Sequence, residues 1–287
     1  MKTEKNELSI SVDQEYARVV DELRNLSAEY GTNSPCTYLM DYSPRIKAQI
    51  HELLKLIHEK GTSGARLLSI GGWPGISGIV LSRLTGIEVT LIDHPAVLGG
   101  DASLFYEQNG LNVVAYDFAE SVHTPIPVAD NFDIIECCQC IEHWNFNPVF
   151  AFKDLFGRVL SPSGSMFITV PNAVSLYRRL FTMMGFNPYP AIRSFIDSAE
   201  GLPGAEVSPH WREYTMNDLV ELMGATGGEC VMQRRAHHKL LYKMSIFQRI
   251  HQALHFAHPA LKSNLEIVVK RKLGVDTTQS REGHANS

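Results

Sequence analysis

Cysteine is scarce, charge is nearly balanced and no apolar run is long, and each shortage removes a class of protein. Five cysteines in 287 residues are an odd number, and three of them crowd into Cys137, Cys138 and Cys140. That spacing builds no disulfide framework, so a reducing, cytoplasmic setting is expected. A net charge of −5 supplies no basic field for nucleic acid. The longest apolar runs, such as Phe132–Cys138, fall far below the ~20 residues of a membrane span. Residues 1–8 are polar and charged, without a secretory pattern. Repeats and low-complexity tracts are absent as well. What is there is an ordinary globular balance, 44% apolar and 20% charged, enough for a sizeable core.

Periodicity then divides the chain. Residues 12–30 predict a helix with Tyr16, Val19, Val20, Leu23 and Leu26 on one stripe, closed by a turn-rich patch at 31–35. Ser43-Pro44 opens another helix, which Gly61 stops. From Arg66 onward strands alternate with helices. Strands are expected at 66–70, 88–92, 112–116, 132–138 and 165–170, and helices at 77–84, 96–109 and 150–160, with a turn at Pro162-Ser163-Gly164. This alternation predicts a parallel α/β sheet covered by helices on both faces. Residues 172–209 break the rhythm with the basic, aromatic stretch SLYRRLFTMMGFNPYP and a Gly/Pro-rich run. A helix at 214–225 with Thr215 as its N-cap and a final strand at 265–270 follow.

The turn after the first strand, SIGGWPGISG, is rich in glycine and opens a helix. Such a turn lets the backbone approach a ligand and points free N–H groups at an anion. It lacks the G-x-G-x-x-G dinucleotide pattern and the Gly-Lys-Ser/Thr of a nucleotide-triphosphate loop, which disfavours NAD and ATP. Asp93 ends the second strand, 22 residues beyond Gly71, where an acid can accept from ribose hydroxyls. Asp117 and Phe118 end the third, a carboxylate for an exocyclic amine beside an aromatic ring.

Taken in order, LLSIGGWPG, VTLIDHP, VVAYDFAE, FDIIECCQCIEHW, LFGRVLSPSGSMFITVPN and HWREYTMNDLVELM resemble the class I S-adenosylmethionine-dependent methyltransferases. The similarity spans roughly residues 66–228 and extends to bacterial members acting on sugars, lipid-linked glycans or secondary metabolites. It implies a Rossmann-like, doubly wound, mostly parallel seven-stranded sheet with N-terminal helices and a helical substrate cap. The implied organisation is an N-terminal helical segment (1–62), a cofactor-binding core (63–172), a cap (173–212), the rest of the core (213–273) and a flexible tail (274–287). S-adenosylmethionine is the implied cofactor. Gly71, Gly72, Trp73 and Gly75 correspond to its loop, Asp93 to the ribose acid, and Asp117 and Phe118 to adenine contacts. Residues 136–138, Cys137 included, would line the methionine side. Ser69 stands where the family commonly has an acid that orders the cofactor's amino group, and Trp73 replaces the middle glycine, followed by Pro74.

Methyl transfer is an in-line displacement, so alignment and desolvation carry most of it. An alcohol acceptor also needs a base. Of twelve histidines, His143 follows the fourth strand and His210 opens the HWREYT segment, and these are the candidate catalytic residues. Each also has a structural reading, a hydrogen bond for His143 and a helix entry for His210. Cys137, Cys138, Cys140 and His143 could suggest zinc, but adjacent strand residues face opposite sides, so buried inert thiols and no metal are expected. His237 and His238 read as surface residues. The segment from Tyr177 to Met184 reads as a solvated helix with a core stripe, or as a lid for an anionic or lipid-linked acceptor. The expected function is O-methylation of a small molecule, sugar or glycan intermediate, with no nucleic-acid partner. The alternatives are a non-catalytic scaffold with this fold and, less favoured, a nicotinamide oxidoreductase.

Overall fold

A computed structural model describes residues 2–30, 36–61, 63–98, 101–187, 192–200, 209–238 and 258–272. Three helices lead in: α1 (Lys2–Tyr30), α2 (Cys36–Asp41) and α3 (Ser43–Lys60). Alternation then begins with β1 (Arg66–Ile70), α4 (Ile76–Thr85), β2 (Glu88–Asp93), α5 (Asp101–Gln108), β3 (Asn112–Ala115) and β4 (Phe132–Cys138). It continues through α6 (Val149–Asp154), β5 (Leu160–Pro171), α7 (Leu176–Met183), α8 (Ile192–Ala199), α9 (Met216–Ala225), β6 (Gly228–Ala236) and β7 (Asn264–Arg271). Local signals explain several boundaries. Pro44 stands in the first turn of α3, and Gly61, at φ +86°, ends it. A reciprocal capping box starts α9: Thr215 Oγ1 accepts from the Asp218 amide, and the Asp218 carboxylate accepts from the Thr215 amide.

The strands form one seven-stranded sheet in the order β3-β2-β1-β4-β5-β7-β6. The first five in that order run parallel, while β7 pairs antiparallel with both β5 and β6. This is the doubly wound α/β sheet expected from the sequence. Its direction of winding reverses between β1 and β4, and in open sheets ligands bind beyond the carboxyl ends at that reversal. Alternate strand residues feed two cores. Leu67, Val89 and Ile134 pack with α1, α3 and α4 residues such as Val19, Leu54 and Ile79. Leu68, Ile135 and Ile168 pack on the other face with Phe152, Phe156 and Leu219. Burial on both faces is why these strands read as continuous apolar runs.

Several expectations need correction. The 96–109 helix is two pieces, because the His94 ring caps the Ala96 amide and starts a separate 3-10 turn at Pro95–Val97 before α5. The 150–160 helix ends as α6, followed by a π turn at Leu155–Val159. The turn at Pro162-Ser163-Gly164 lies inside the longer β5 as an irregularity, where pairing with β4 jumps from Phe132↔Leu160 to Ile134↔Ser165. The edge strand β6 has no clear apolar signal because only its two end residues are buried, and it carries Arg234 and Arg235. His237 and His238 are half-buried rather than surface groups, bonded to Ser263 and Glu266. No core stripe exists on α7, none of whose residues is buried. The turn patch at 31–35 and the tail at 274–287 lie outside the described residues. Among the described residues no helix is long and apolar enough to cross a membrane.

Candidate active site

The turn between β1 and α4 sits at the sheet reversal, and its glycines are required there. Gly71 has φ +64°, and a Cβ on it would lie 2.4 Å from the Cys140 Sγ. A Cβ on Gly72 would lie 2.2 Å from the Ser69 Oγ. Gly75, at φ +82°, is the left-handed N-cap of α4. The half-buried Asp93 closes the turn from β2: its carboxylate accepts from the Trp73 amide at 3.2 Å and from the His94 amide at 2.7 Å. Burial raises the Asp93 pKa, and the two amides pull it back. The Trp73 side chain itself is 43% exposed. At the next strand end Asp117 accepts from the Ala119 amide and lies 3.7 Å from His94 Nε2. The Phe118 ring is buried, stacked on Trp144 at 5.0 Å.

A cleft opens beside this turn, bounded by Gly71, Gly72, Trp73, Glu136, Cys138 and Gln139 from the sheet side and by Arg45 and Gln49 from α3. Glu136 is 3% exposed at its floor. Its carboxylate accepts from the Ser69 Oγ at 3.0 Å and from the Ser77 Oγ at 2.8 Å. The register of β1 on β4 makes the first of these contacts, since Ser69 pairs directly with Glu136. Burial raises the Glu136 pKa, opposed by the hydroxyls of Ser77 and Ser69 and by the Cys138 thiol. Opposite, the Arg45 guanidinium donates to Gln139 Oε1 at 3.0 Å and to the Tyr38 hydroxyl at 2.6 Å, and lies over the Tyr42 ring. Its Nε is buried and has no partner among the described residues. Gln139 turns the chain out of β4 at φ +53°, a strained value for a side chain other than glycine. Cys137 is fully buried in the second core, and its neighbour Cys138 is the thiol that reaches the cleft. A hydrogen bond with Cys140, joined by burial, raises the Cys137 thiol, and burial raises the Cys138 thiol.

The two candidate histidines meet. A 3-10 turn at Ile141–His143 follows β4, and the Trp211 and Arg212 amides donate to the Glu142 carbonyl, bringing the HWREYT segment alongside. The His143 and His210 rings are 4.7 Å apart, edge to face. His210 Nδ1 lies 3.1 Å from the carboxylate of Glu213, whose side chain is fully buried and ion-paired with Arg178 of α7. Glu142 is buried too, and burial pushes its pKa up to about 7 against its own amide and the positive fields of His210 and Arg45. Sequence reasoning had pointed to both histidines, the glycines and Asp93. It missed Arg45, Glu142 and Glu213. Arg45 carried only the signal of a basic residue one position after a helix-opening proline.

Comparison with solved structures identifies the fold. Magnesium protoporphyrin IX methyltransferase (ChlM) of Synechocystis PCC 6803, solved with bound S-adenosylhomocysteine, is similar at a TM-score of 0.52 and 11% identity, covering 88% of this chain and 94% of that one. A proposed sarcosine dimethylglycine methyltransferase from Galdieria sulphuraria gives 0.50 at 15% identity, covering 78% and 86%. The [4+2]-cyclase SpnF gives 0.50 at 16%, covering 78% and 81%. The chain therefore has the fold of class I S-adenosylmethionine-dependent methyltransferases. No protein-family model and no curated protein matches its sequence.

Proposed function

We propose that the chain is an S-adenosylmethionine-dependent methyltransferase acting on a hydroxyl of a small molecule, sugar or glycan intermediate. The observation that carries this reading is the pair of opposite charges across the cleft: a buried carboxylate, Glu136, and Arg45 with its buried, unpartnered Nε. An amino acid end, with an ammonium and a carboxylate, is complementary to both. The acid that the family commonly carries at position 69 is thus replaced from the adjacent strand. Ser69 then serves as a donor that orients Glu136.

Asp93 would accept from the ribose hydroxyls, the glycine turn leaves room for the backbone to approach the cofactor, and Asp117 would meet the adenine amine. When bound, the cofactor supplies an electrophilic methyl group on a sulfonium. The chain's own groups do the rest. Glu136 and Arg45 fix the amino acid end, and His210, oriented by Glu213, accepts the proton of the acceptor hydroxyl or positions that hydroxyl, with His143 beside it. The cap, residues 173–212, would select the acceptor. The neighbours support the cofactor reading through ChlM's bound S-adenosylhomocysteine. SpnF is a cyclase with the same fold, so the acceptor chemistry rests on the histidines and not on the fold.

Calorimetry with S-adenosylmethionine, S-adenosylhomocysteine and NAD tests the reading. The first two should bind one per chain, NAD should not, and Arg45→Ala should weaken binding at least tenfold. Failure of both sulfur ligands to bind the wild-type chain would overturn it.

A further inference from the structure

We propose that Glu142, His143 and His210 form a site for one divalent transition-metal ion of the zinc class, bound by one carboxylate and two imidazoles. Each residue offers one ligand atom, and the three atoms lie within 4.8 Å of one another. Ligands on a common zinc ion, at bonds of about 2.0–2.2 Å, stand roughly 3–3.5 Å apart. Small rotations of three side chains would close that gap. Proximity alone would not carry the proposal, because two histidine rings at 4.7 Å can simply pack edge to face.

The second observation is the carboxylate. Both Glu142 oxygens are buried, and beyond the residue's own backbone amide neither has a hydrogen-bond partner among the described residues. Elsewhere Glu136 is met by two hydroxyls and Asp93 by two amides, and Glu213, although one of its oxygens is also unpartnered, is paired through the other with Arg178 and His210. An unpartnered buried carboxylate is costly, and native structures meet that cost with a cation or with bonds. The positive field of Arg45 offsets part of that cost, and an ion held between Glu142 and the two imidazoles of the same cluster would offset the rest.

A third feature supports the same assignment. Metal-binding histidines commonly give their other ring nitrogen to a carboxylate, which fixes the tautomer and orients the ring. His210 Nδ1 does this with the buried Glu213, which Arg178 in turn holds by an ion pair. That arrangement assigns the lone pair to Nε2.

The donor set selects the ion. Two imidazoles and a carboxylate suit zinc, cobalt or ferrous iron, whereas magnesium and calcium prefer oxygen ligands. Three protein ligands also leave a coordination position open, as catalytic sites do and structural sites do not. If the methyltransferase reading holds, on which this one point rests, an acceptor oxygen would occupy that position and lose its proton to solvent or a neighbouring base more readily. The histidines would then act through the ion.

Cobalt(II) titration of the metal-stripped full-length chain tests the site, read by its visible absorption and by calorimetry, with zinc as competitor. One Co²⁺ should bind per chain and be displaced by Zn²⁺. Glu142→Gln and His210→Ala should each weaken binding at least tenfold, and Glu213→Gln by about 10–100-fold. Circular dichroism melts check that each variant folds. X-ray absorption at the zinc edge of the wild-type chain needs no variant: imidazole and oxygen scatterers are expected without sulfur. Absence of stoichiometric binding, unchanged affinity in the folded variants, or sulfur ligation by the nearby cysteines would overturn the proposal. S-adenosylmethionine titrations on the same metal-free samples keep the two readings apart. Loss of cofactor binding there would count against the proposed function and not against the ion.

Discussion

A carboxylate buried as deeply as Glu136 holds its proton more tightly in the folded chain than in the unfolded one, because burial penalises the charge. The folded protein therefore gains stability from this group at low pH. That contribution is lost as pH rises from the ordinary carboxylate range through the raised folded value. Glu136→Gln removes the penalty and should raise the melting temperature of the ligand-free protein at neutral pH. The same change should weaken S-adenosylmethionine at least tenfold, and wild-type affinity should fall as pH drops through the raised pKa. A variant that gains no stability, or binds the cofactor as before, would separate Glu136 from the proposed ammonium contact. Asp93 makes a simpler case. Losing two charge-assisted bonds to a ribose should cost about 2–4 kcal/mol, so Asp93→Ala should weaken the cofactor by more than tenfold in calorimetry. On the acceptor side, His210→Ala should lower turnover by roughly 10²–10⁴ with cofactor affinity nearly intact. Normal turnover at saturating acceptor would move the role to His143 or dispense with a base.

At the scale of elements, α7 and α8 stand apart from the rest of the chain. Neither helix buries a residue, and Tyr177, Leu180, Ile192 and Ile196 are exposed, with Met183 at 82%. Yet α7 is not detached, since Arg178 reaches Glu213, and Phe195 of α8 meets Trp211 edge to face at 4.8 Å. These contacts connect the segment after β5 to the strip that carries His210. A helix pair with an exposed apolar surface suits acceptor binding better than it suits stability. Replacing Leu180 and Met183 together by serine should therefore shift stability by less than about 0.5–1 kcal/mol. Cofactor affinity should hold, while KM rises for an acceptor that the wild-type chain methylates. A marked loss of thermal stability would instead make α7 a packing element.

For the whole molecule, the N-terminal helices complete one face of the sheet and one wall of the cleft. Val12, Tyr16, Val19, Val20 and Leu23 of α1 are buried in the first core, and the Tyr16 hydroxyl donates to the Leu39 carbonyl of α2. At about 1.5–3 kcal/mol per buried side chain, α1 contributes as much as the entire net stability of an ordinary domain, roughly 5–15 kcal/mol. Deleting residues 2–30 should yield an unfolded or aggregated chain by circular dichroism and gel filtration. A folded, cofactor-binding truncation would mean that α1 is dispensable and that α2 and α3 hold the cleft unaided.

What the sequence determined by itself was whatever depends on neighbours along the chain. Continuous apolar runs marked β1, β2 and β4 because both sheet faces are covered. Pro44 and Thr215 marked helix starts because caps act within a turn. The glycines at 71 and 75 showed through because their backbone conformations exclude other residues. Edge strand β6 escaped because its exposed positions need no apolar side chain. What only the tertiary structure decided lies in contacts between distant positions. Strand register put Glu136 against Ser69, 67 residues earlier, and packing of α3 over the cleft put Arg45 against Gln139, 94 residues later. Amides of Trp211 and Arg212 on the Glu142 carbonyl brought His210 to Glu142 and His143. Local pattern encodes which side of an element is buried, whereas strand order and register decide which buried charges meet.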